Sequence, residues 1–186
     1  MASLTISTIS GMRVPRSFLL ATLLSAGSLV EPAHAREADG DHVRPLDPRV
    51  RAAVADGIEG SPLFRDLVAQ LDASDVIVYV ESDPLMPERL QGRLTFVSSA
   101  GGRRYVMVRI ACALRGLPQI AILGHELQHA VEIARAQSVV DEPSLAAEYR
   151  RIGFSSGAMR PGAGYDSRAA IEAGQRVWHE LSHRAE

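Results

Sequence analysis

The feature that most restricts the fold is a segment over 116–136 that is apolar on almost every side when drawn as a helix. Gly116, Leu117 and Pro118 begin this segment, and aliphatic side chains occupy opposite faces of it. A helix that is apolar on both sides is buried on both sides, so the chain must supply other elements to cover it. The segment therefore predicts a packed domain and excludes a disordered chain.

Composition narrows the functional classes. The 186 residues include 20 basic and 22 acidic side chains, and the net charge of −2 gives no basic signal for a nucleic-acid partner. All of the basic residues are Arg, which excludes a lysine nucleophile or a Schiff-base enzyme. The single Cys112 cannot form an intramolecular disulfide, and at the end of a predicted strand we expect it to pack rather than react.

The first 35 residues have the pattern of a secretory signal peptide. Arg13 and Arg16 precede an apolar stretch over 18–30, and Ala-His-Ala at 33–35 gives the small residues of a cleavage site. The apolar stretch is shorter than the roughly 20 residues that cross a bilayer. We therefore expect an exported protein, periplasmic or secreted, with no membrane association after cleavage.

The rest of the chain is expected to form a flexible leader over 36–46 and one domain over 47–186. Gly57 and Gly60 are expected to end the first helix, and the Gly-rich segment 98–102 is expected to turn a β-hairpin. Helices followed by about three antiparallel strands and then more helices indicate an α+β fold with a small antiparallel sheet. Helices are predicted over 48–56, from 62 to about 71, from 116–118 to about 136, from 141–144 to 152, and from 166 or 167 onwards. Strands are predicted over 75–80, 93–97 and 104–110.

The motif that carries chemistry is His125-Glu126-Leu127-Gln128-His129. On a helix the two histidines project about 40° apart, so both imidazoles face the same way and supply two ligands of a metal shell. Glu126 is not needed for ligation, and such a glutamate can take a proton from a zinc-bound water. The sequence predicts Zn²⁺ on His125 and His129, with Glu126 as the catalytic base.

This motif resembles that of the zincin superfamily of metallopeptidases, whose core is a small antiparallel sheet over an active-site helix and a following helix. The resemblance implies a zinc-dependent hydrolase that cleaves peptide bonds in a peptide or protein substrate. The run from Arg65 to Leu181 also resembles a group of exported bacterial proteins with no assigned activity. That second likeness is carried by segments 75–80, 92–97, 125–129 and 149–153.

The resemblance suggests Glu148 as the third metal ligand, because one zincin form takes a glutamate from the next helix. Glu148 lies nineteen residues after His129. It shares a helical side with Leu145 and Ile152, so we expect it to face inward. The competing role for Glu148 is a salt bridge with Arg151.

Three other acids remain alternatives for the metal site. Asp166 is a possible ligand, although either it or Ser167 is expected to be the N-cap of the last helix. Glu142 is a further possible ligand. Glu132 lies three residues after His129 on the same face, which favours orienting that histidine over binding the metal itself.

A second match to the motif, His179-Glu180-Leu181-Ser182-His183, is interpreted as accidental because few apolar residues flank it. One of its histidines could instead stabilise a developing oxyanion, a role also open to Tyr149 and Tyr165. The alternative function is a non-catalytic zinc-binding structural or interaction domain. In that case His179 or His183 would supply a fourth ligand and close the site.

Overall fold

A computed structural model describes residues 41–88, 90–155 and 164–183. All of the described elements belong to one compact unit over 37–186. The signal peptide predicted over 1–35 and the first part of the predicted leader lie outside the described residues, so export stays a prediction. None of the helices in the described ranges is long and apolar enough to cross a membrane.

The described chain has an α+β fold, as predicted. Five helices and a four-stranded mixed sheet form the main body, and two short strands make a second, two-stranded sheet. The helices are α1 (Pro48–Gly60), α2 (Pro62–Asp72), α3 (Gly116–Arg135), α4 (Glu142–Ile152) and α5 (Arg168–Ser182). The strands are β1 (Val43–Pro45), β2 (Val76–Asp83), β3 (Gly92–Ala100), β4 (Arg103–Ala111), β5 (Phe154–Ser155) and β6 (Tyr165–Asp166).

The main sheet is mixed rather than wholly antiparallel. Its strand order is β1-β2-β4-β3, with β3 at an edge. The predicted hairpin is present, because β3 runs antiparallel to β4, but β2 pairs with β4 in parallel, with Val78 opposite Val106. The chain reverses direction once before β3 and once after it, so β4 regains the direction of β2. Expecting antiparallel pairing throughout was therefore wrong for this pair of strands.

The described end of the predicted leader is a strand. Val43–Pro45 pairs in parallel with β2, and the side chains of His42 and Val43 are buried. Burying Val43 and completing the hydrogen bonds along the free edge of β2 favour this pairing. A three-residue strand that ends in proline has too little periodicity to be found from sequence.

Gly57 lies inside the first helix and does not end it. Helix α1 continues to Gly60, and the α-carbon of Gly57 faces the ring of Phe64 in α2. A β-carbon at position 57 would lie 2.9 Å from that ring, so glycine here permits close helix packing. The Ser61 hydroxyl accepts a hydrogen bond from the Phe64 amide, and it therefore caps α2 as predicted.

Helix α3 lies at the centre of the domain, between the sheet and α5. Its aliphatic side chains Leu123, Leu127 and Ile133 are fully buried, as its apolar sides predict. Gly124 and Gly174 let α3 and α5 approach closely. A β-carbon at 124 would be 2.8 Å from the Val177 side chain, and one at 174 would be 3.2 Å from the His125 β-carbon. The middle of α5 is thereby held beside the histidine face of α3.

A β-bulge sets which residues of β3 face the helices. The pairing of β3 with β4 shifts between Phe96 and Ser98, so Val97 is an extra residue in the ladder. Leu94 and Phe96 pack against the hydrophobic core, and a β-carbon at Gly92 would contact side chains of α3. The residues at 92, 94 and 96 therefore share the face that covers α3.

A buried arginine attaches the end of α3 to the sheet. Arg104 on β4 is 4% exposed and donates to the carbonyls of Ile133 and Ala136, each at 2.7 Å. It also forms two hydrogen bonds with the Asp75 carboxylate, at 2.6 and 2.7 Å. A cation at a helix C-terminus satisfies carbonyls that have no partner within the helix. Arg104 thus fixes the C-terminal end of the motif helix.

Replacing Asp75 by Asn should lower the free energy of unfolding by about 1 kcal/mol at neutral pH, since the pair is partly exposed and screened by water. Hydrogen bonding to Arg104 holds the pKa of Asp75 below its ordinary value of 3.8. The stabilisation is therefore complete above that value and is lost as the pH falls through the lowered pKa of the folded state.

Urea unfolding of the wild type and Asp75→Asn at several pH values measures this effect. The difference between the two proteins should shrink on acidification below about pH 4. Asp66→Asn, an exposed carboxylate on α2, is the matched control and should change stability by less than about 0.5 kcal/mol. A difference that is unchanged at low pH would contradict the assignment.

Candidate metal centre

Three ligand atoms converge at the start of α5. Nε2 of His125 lies 3.4 Å from Oδ1 of Asp166, and Nε2 of His129 lies 3.5 Å from the same oxygen. The three residues offer ligand atoms that all lie within 4.8 Å of one another. The i,i+4 spacing on α3 aligns the two histidines, as predicted, and strand β6 brings Asp166 to them. This cluster can hold a metal ion.

Glu126 lies beside this cluster and against the edge strand. Its side chain is buried, and a β-carbon at Gly92 of β3 would be 2.5 Å from its Oε1 atom. Burial raises the pKa of Glu126 to about 7, with the positive charge of His129 opposing the rise. A carboxylate with this pKa accepts and returns a proton near neutral pH. The structure therefore places Glu126 where the motif predicts a base.

Glu132 orients His129, as predicted. Its Oε2 atom lies 3.0 Å from Nδ1 of His129 and accepts a hydrogen bond of 2.9 Å from the Tyr149 hydroxyl. The Ser167 hydroxyl donates to its other oxygen at 2.5 Å. Burial opposes ionisation, yet the hydrogen bonds from His129 and Ser167 keep the pKa of Glu132 below its ordinary value. A charged Glu132 holds the proton of His129 on Nδ1 and directs Nε2 toward the cluster.

The two histidines differ in their electrostatic surroundings. Burial and the neighbouring His129 lower the pKa of His125, which favours the neutral form that binds metals. Burial acts in the same direction on His129, but contacts with Asp166 and Glu132 outweigh it and raise the pKa to about 9. The carboxylates around His129 thus stabilise positive charge, which is what a bound cation would supply.

Glu148 lies outside the cluster of ligand atoms. Its carboxylate forms an ion pair with Arg151 at 2.5 Å, the competing role considered for it. The neighbouring residue on α4, Tyr149, faces inward instead, with its ring against His129 and its hydroxyl on Glu132. One residue is about 100° of helix rotation, so burying the tyrosine ring turns Glu148 away from the histidines. Among the described residues, Asp166 joins the histidine pair where Glu148 was expected.

Asp166 is free to join the histidines because Ser167 caps α5. The Ser167 hydroxyl accepts from the amide of Ala170, and its own amide donates to Oδ1 of Asp166 at 2.7 Å. The sequence left the cap open between these two adjacent residues. Ser167 therefore has a role beyond capping that sequence reasoning missed, since its hydroxyl also reaches Glu132. The sequence signal for this second role was the presence of two adjacent residues that can each cap a helix, since only one of them is needed as the cap.

The second motif does not contribute to this cluster. Glu180 accepts hydrogen bonds from the Ser61 hydroxyl at 2.5 Å and the Leu63 amide at 3.0 Å, so it joins α5 to the start of α2. His179 and His183 are exposed, and their rings stack on each other. Neither histidine is among the converging ligand atoms, although His179 and His125 both line a cavity of about 430 Å³ between α3 and α5.

An open cleft of about 790 Å³ gives access to the cluster. The cleft is lined by β3, by the motif residues of α3, and by Glu142, Tyr149 and Tyr165. Tyr149 is occupied by Glu132 and His129, and burial together with Glu132 raises its pKa, so it stays a protonated donor within this network. Of the two tyrosines considered for oxyanion contact, Tyr165 is the one whose hydroxyl is not part of that network.

No protein-family model, curated protein or solved structure gave a significant match to this chain.

Asp166→Asn should lower the affinity for the metal by more than about 100-fold. Removing a residue that only hydrogen-bonds to a ligand lowers metal affinity about 10- to 100-fold, and removing a ligand should cost more. Glu148→Gln, which removes only the charge that pairs with Arg151, should leave the affinity unchanged. Isothermal titration with Zn²⁺ measures both, and circular dichroism checks the fold. Metal loss in Glu148→Gln with retention in Asp166→Asn would reverse the assignment.

Proposed function

We propose that this protein is a zinc-dependent metallopeptidase. The observation that carries the proposal is the convergence of His125, His129 and Asp166 beside the buried Glu126, at the floor of an open cleft. Three protein ligands, an accessible side and an adjacent carboxylate are the parts of a hydrolytic zinc site. The absence of matching proteins means that the proposal is based on this geometry and on the likeness of the motif to zincins.

The donor set fits zinc. Two imidazole nitrogens and one carboxylate oxygen are ligands that zinc accepts, each at about 2.0–2.2 Å. Ligands at those distances around a tetrahedral ion lie about 3.4 Å apart. The separations of Asp166 Oδ1 from the two Nε2 atoms, 3.4 and 3.5 Å, agree with that spacing. His125, His129 and Asp166 would therefore hold the ion, and the outer shell would be Glu132, Tyr149 and Ser167.

Zinc bound here would supply a Lewis acid for the peptide carbonyl and would lower the pKa of a coordinated water to about 7. Glu126 removes a proton from the attacking water at its carboxylate, while the water oxygen forms a bond to the carbonyl carbon. Glu126 then donates that proton to the amine nitrogen as the carbon–nitrogen bond breaks.

The cleft also provides a means of orienting a peptide. Strand β3 is an edge of the sheet and lines the cleft next to Glu126, so an extended substrate can add to it through main-chain hydrogen bonds. The Tyr165 hydroxyl is the candidate donor to the developing oxyanion. The signal-peptide pattern over 1–35 supports a protein that acts after export, and N-terminal sequencing of the periplasmic or secreted form tests that part of the proposal.

Glu126→Gln should abolish peptide hydrolysis, because the amide of glutamine cannot accept the proton from water. The variant should retain the metal, because residue 126 is not one of the metal ligands. We expect a fall in kcat of at least about 100-fold. Hydrolysis of a fluorogenic peptide library, beside zinc content by elemental analysis, measures both quantities, and chelator-treated wild type is the inactive control. An active Glu126→Gln variant would contradict the proposal, and zinc binding without any hydrolysis by the wild type would favour the structural alternative.

Gly92→Ala should reduce hydrolysis without unfolding the protein. The added methyl would meet Glu126 Oε1 at 2.5 Å and the Ile122 side chain at 2.7 Å. The Glu126 carboxylate ends a flexible side chain and can turn away, which takes it from its position beside the cluster. Ile122 Cγ2 is fixed to a β-branched carbon, so β3 and α3 must also separate slightly, at some cost to stability. We expect at least a tenfold loss of kcat with the same zinc content.

The matched control for Gly92→Ala is Gly102→Ala, at a hairpin position where a β-carbon would meet nothing within 4 Å. Its positive φ of 73° makes that substitution strained, so it tests stability loss without an effect on the cleft. Equal loss of kcat in the two variants would mean that Gly92 acts through stability alone.

A further inference from the structure

A second pair of histidines at metal-binding spacing lies at the C-terminal end of α5, with His179 in its last turn and His183 as its C-cap. The ring centroids of His179 and His183 are 5.5 Å apart, close to the 4.8 Å between His125 and His129. The same four-residue spacing on a helix produces both separations. The exposed pair repeats the spacing of the buried pair but not its ring orientation, since the exposed rings are nearly parallel at 23° and the buried rings meet edge to face at 84°.

The orientation of this pair is fixed by the opposite side of the helix. Val177 and Leu181 are buried, and each lies about 200° around the helix from His179. Both histidines are exposed, and His179 lies at the border of a cavity that His125 also lines. The packing of Val177 and Leu181 in the core therefore leaves the two imidazoles side by side on the exposed side of the helix end.

The acid of the second motif is not free to pair with these histidines. Glu180 accepts from Ser61 and Leu63 and forms an ion pair with Arg176 at 2.9 Å. Its carboxylate therefore belongs to the junction of α5 with α2. The ligands that the exposed pair presents are two imidazole nitrogens, and water completes the shell of any ion bound there.

We propose that His179 and His183 form a second, solvent-facing site for a divalent transition-metal ion. Imidazole ligands favour Cu²⁺, Ni²⁺ and Zn²⁺ over hard cations such as Mg²⁺ and Ca²⁺. Ni²⁺ binds such a pair more tightly than Mn²⁺, following the general order of affinities. The site has fewer protein ligands than the buried cluster and is weaker. It is independent of peptide hydrolysis and is distinct from the His125, His129 and Asp166 cluster.

Isothermal titration of the purified protein with Ni²⁺ tests the site. The wild type should bind two equivalents, and His183→Ala should lose the weaker one, with its affinity reduced by roughly 100-fold because the second imidazole no longer binds intramolecularly. His129→Ala should lose the other equivalent and retain the weaker one. Equal stoichiometry and affinity in the wild type and His183→Ala would overturn the proposal.

Two double variants separate chelation from the mere presence of exposed histidines. Gln175→His with His183→Ala moves the pair one turn earlier, to 175 and 179, and should restore the weaker site. Glu172→His with His183→Ala keeps two histidines but places them seven residues apart, about 10 Å along the helix, and should not restore it. Both substituted positions are exposed, so the fold is retained. Equal restoration by the two variants would show that the spacing is irrelevant and would overturn the proposal.

Discussion

The carboxylate of Glu132 connects the three helices that build the metal centre. It contacts Nδ1 of His129 on α3 and accepts hydrogen bonds from Tyr149 on α4 and Ser167 at the start of α5. A buried carboxylate is stable only when such partners surround it, so each helix must be in place for the others to be satisfied. The Glu132 carboxylate therefore orients the ring of His129 and, by holding Ser167, helps to place the adjacent Asp166 at the metal centre.

The parts of the site that the sequence predicts are those with a local code. The i,i+4 spacing of His125 and His129, the burial of α3 and the β3–β4 hairpin depend on residues close together in the chain, and each was predicted. The role of Glu132 was predicted for the same reason, since it is one helical turn from His129. Periodicity and turn chemistry carry this information without any knowledge of the tertiary fold.

The parts that sequence reasoning missed depend on contacts between distant segments. The parallel pairing of β2 with β4 and the strand at Val43–Pro45 have no local signal. The choice between Glu148 and Asp166 depended on which face of α4 packs inward, and burial of the neighbouring Tyr149 decided it. The cap position offered the same ambiguity, because Asp166 and Ser167 are both good capping residues and only the packed fold distinguishes their roles.

The bulge at Val97 links the far end of the β3–β4 hairpin to the chemistry of the cleft. Side chains alternate between the two faces of a strand, so the single extra residue sets the parity of everything before it in β3. If Val97 were instead paired with Val106 in a regular ladder, Arg93 would lie opposite Ile110 where Gly92 lies, and a long cationic side chain would fill the space next to Glu126. The effect of an insertion or deletion in this hairpin therefore depends on its position. A change of one residue between the bulge and the cleft reverses which side chains of β3 face α3. A change at the turn, beyond the bulge, leaves those side chains on the same face.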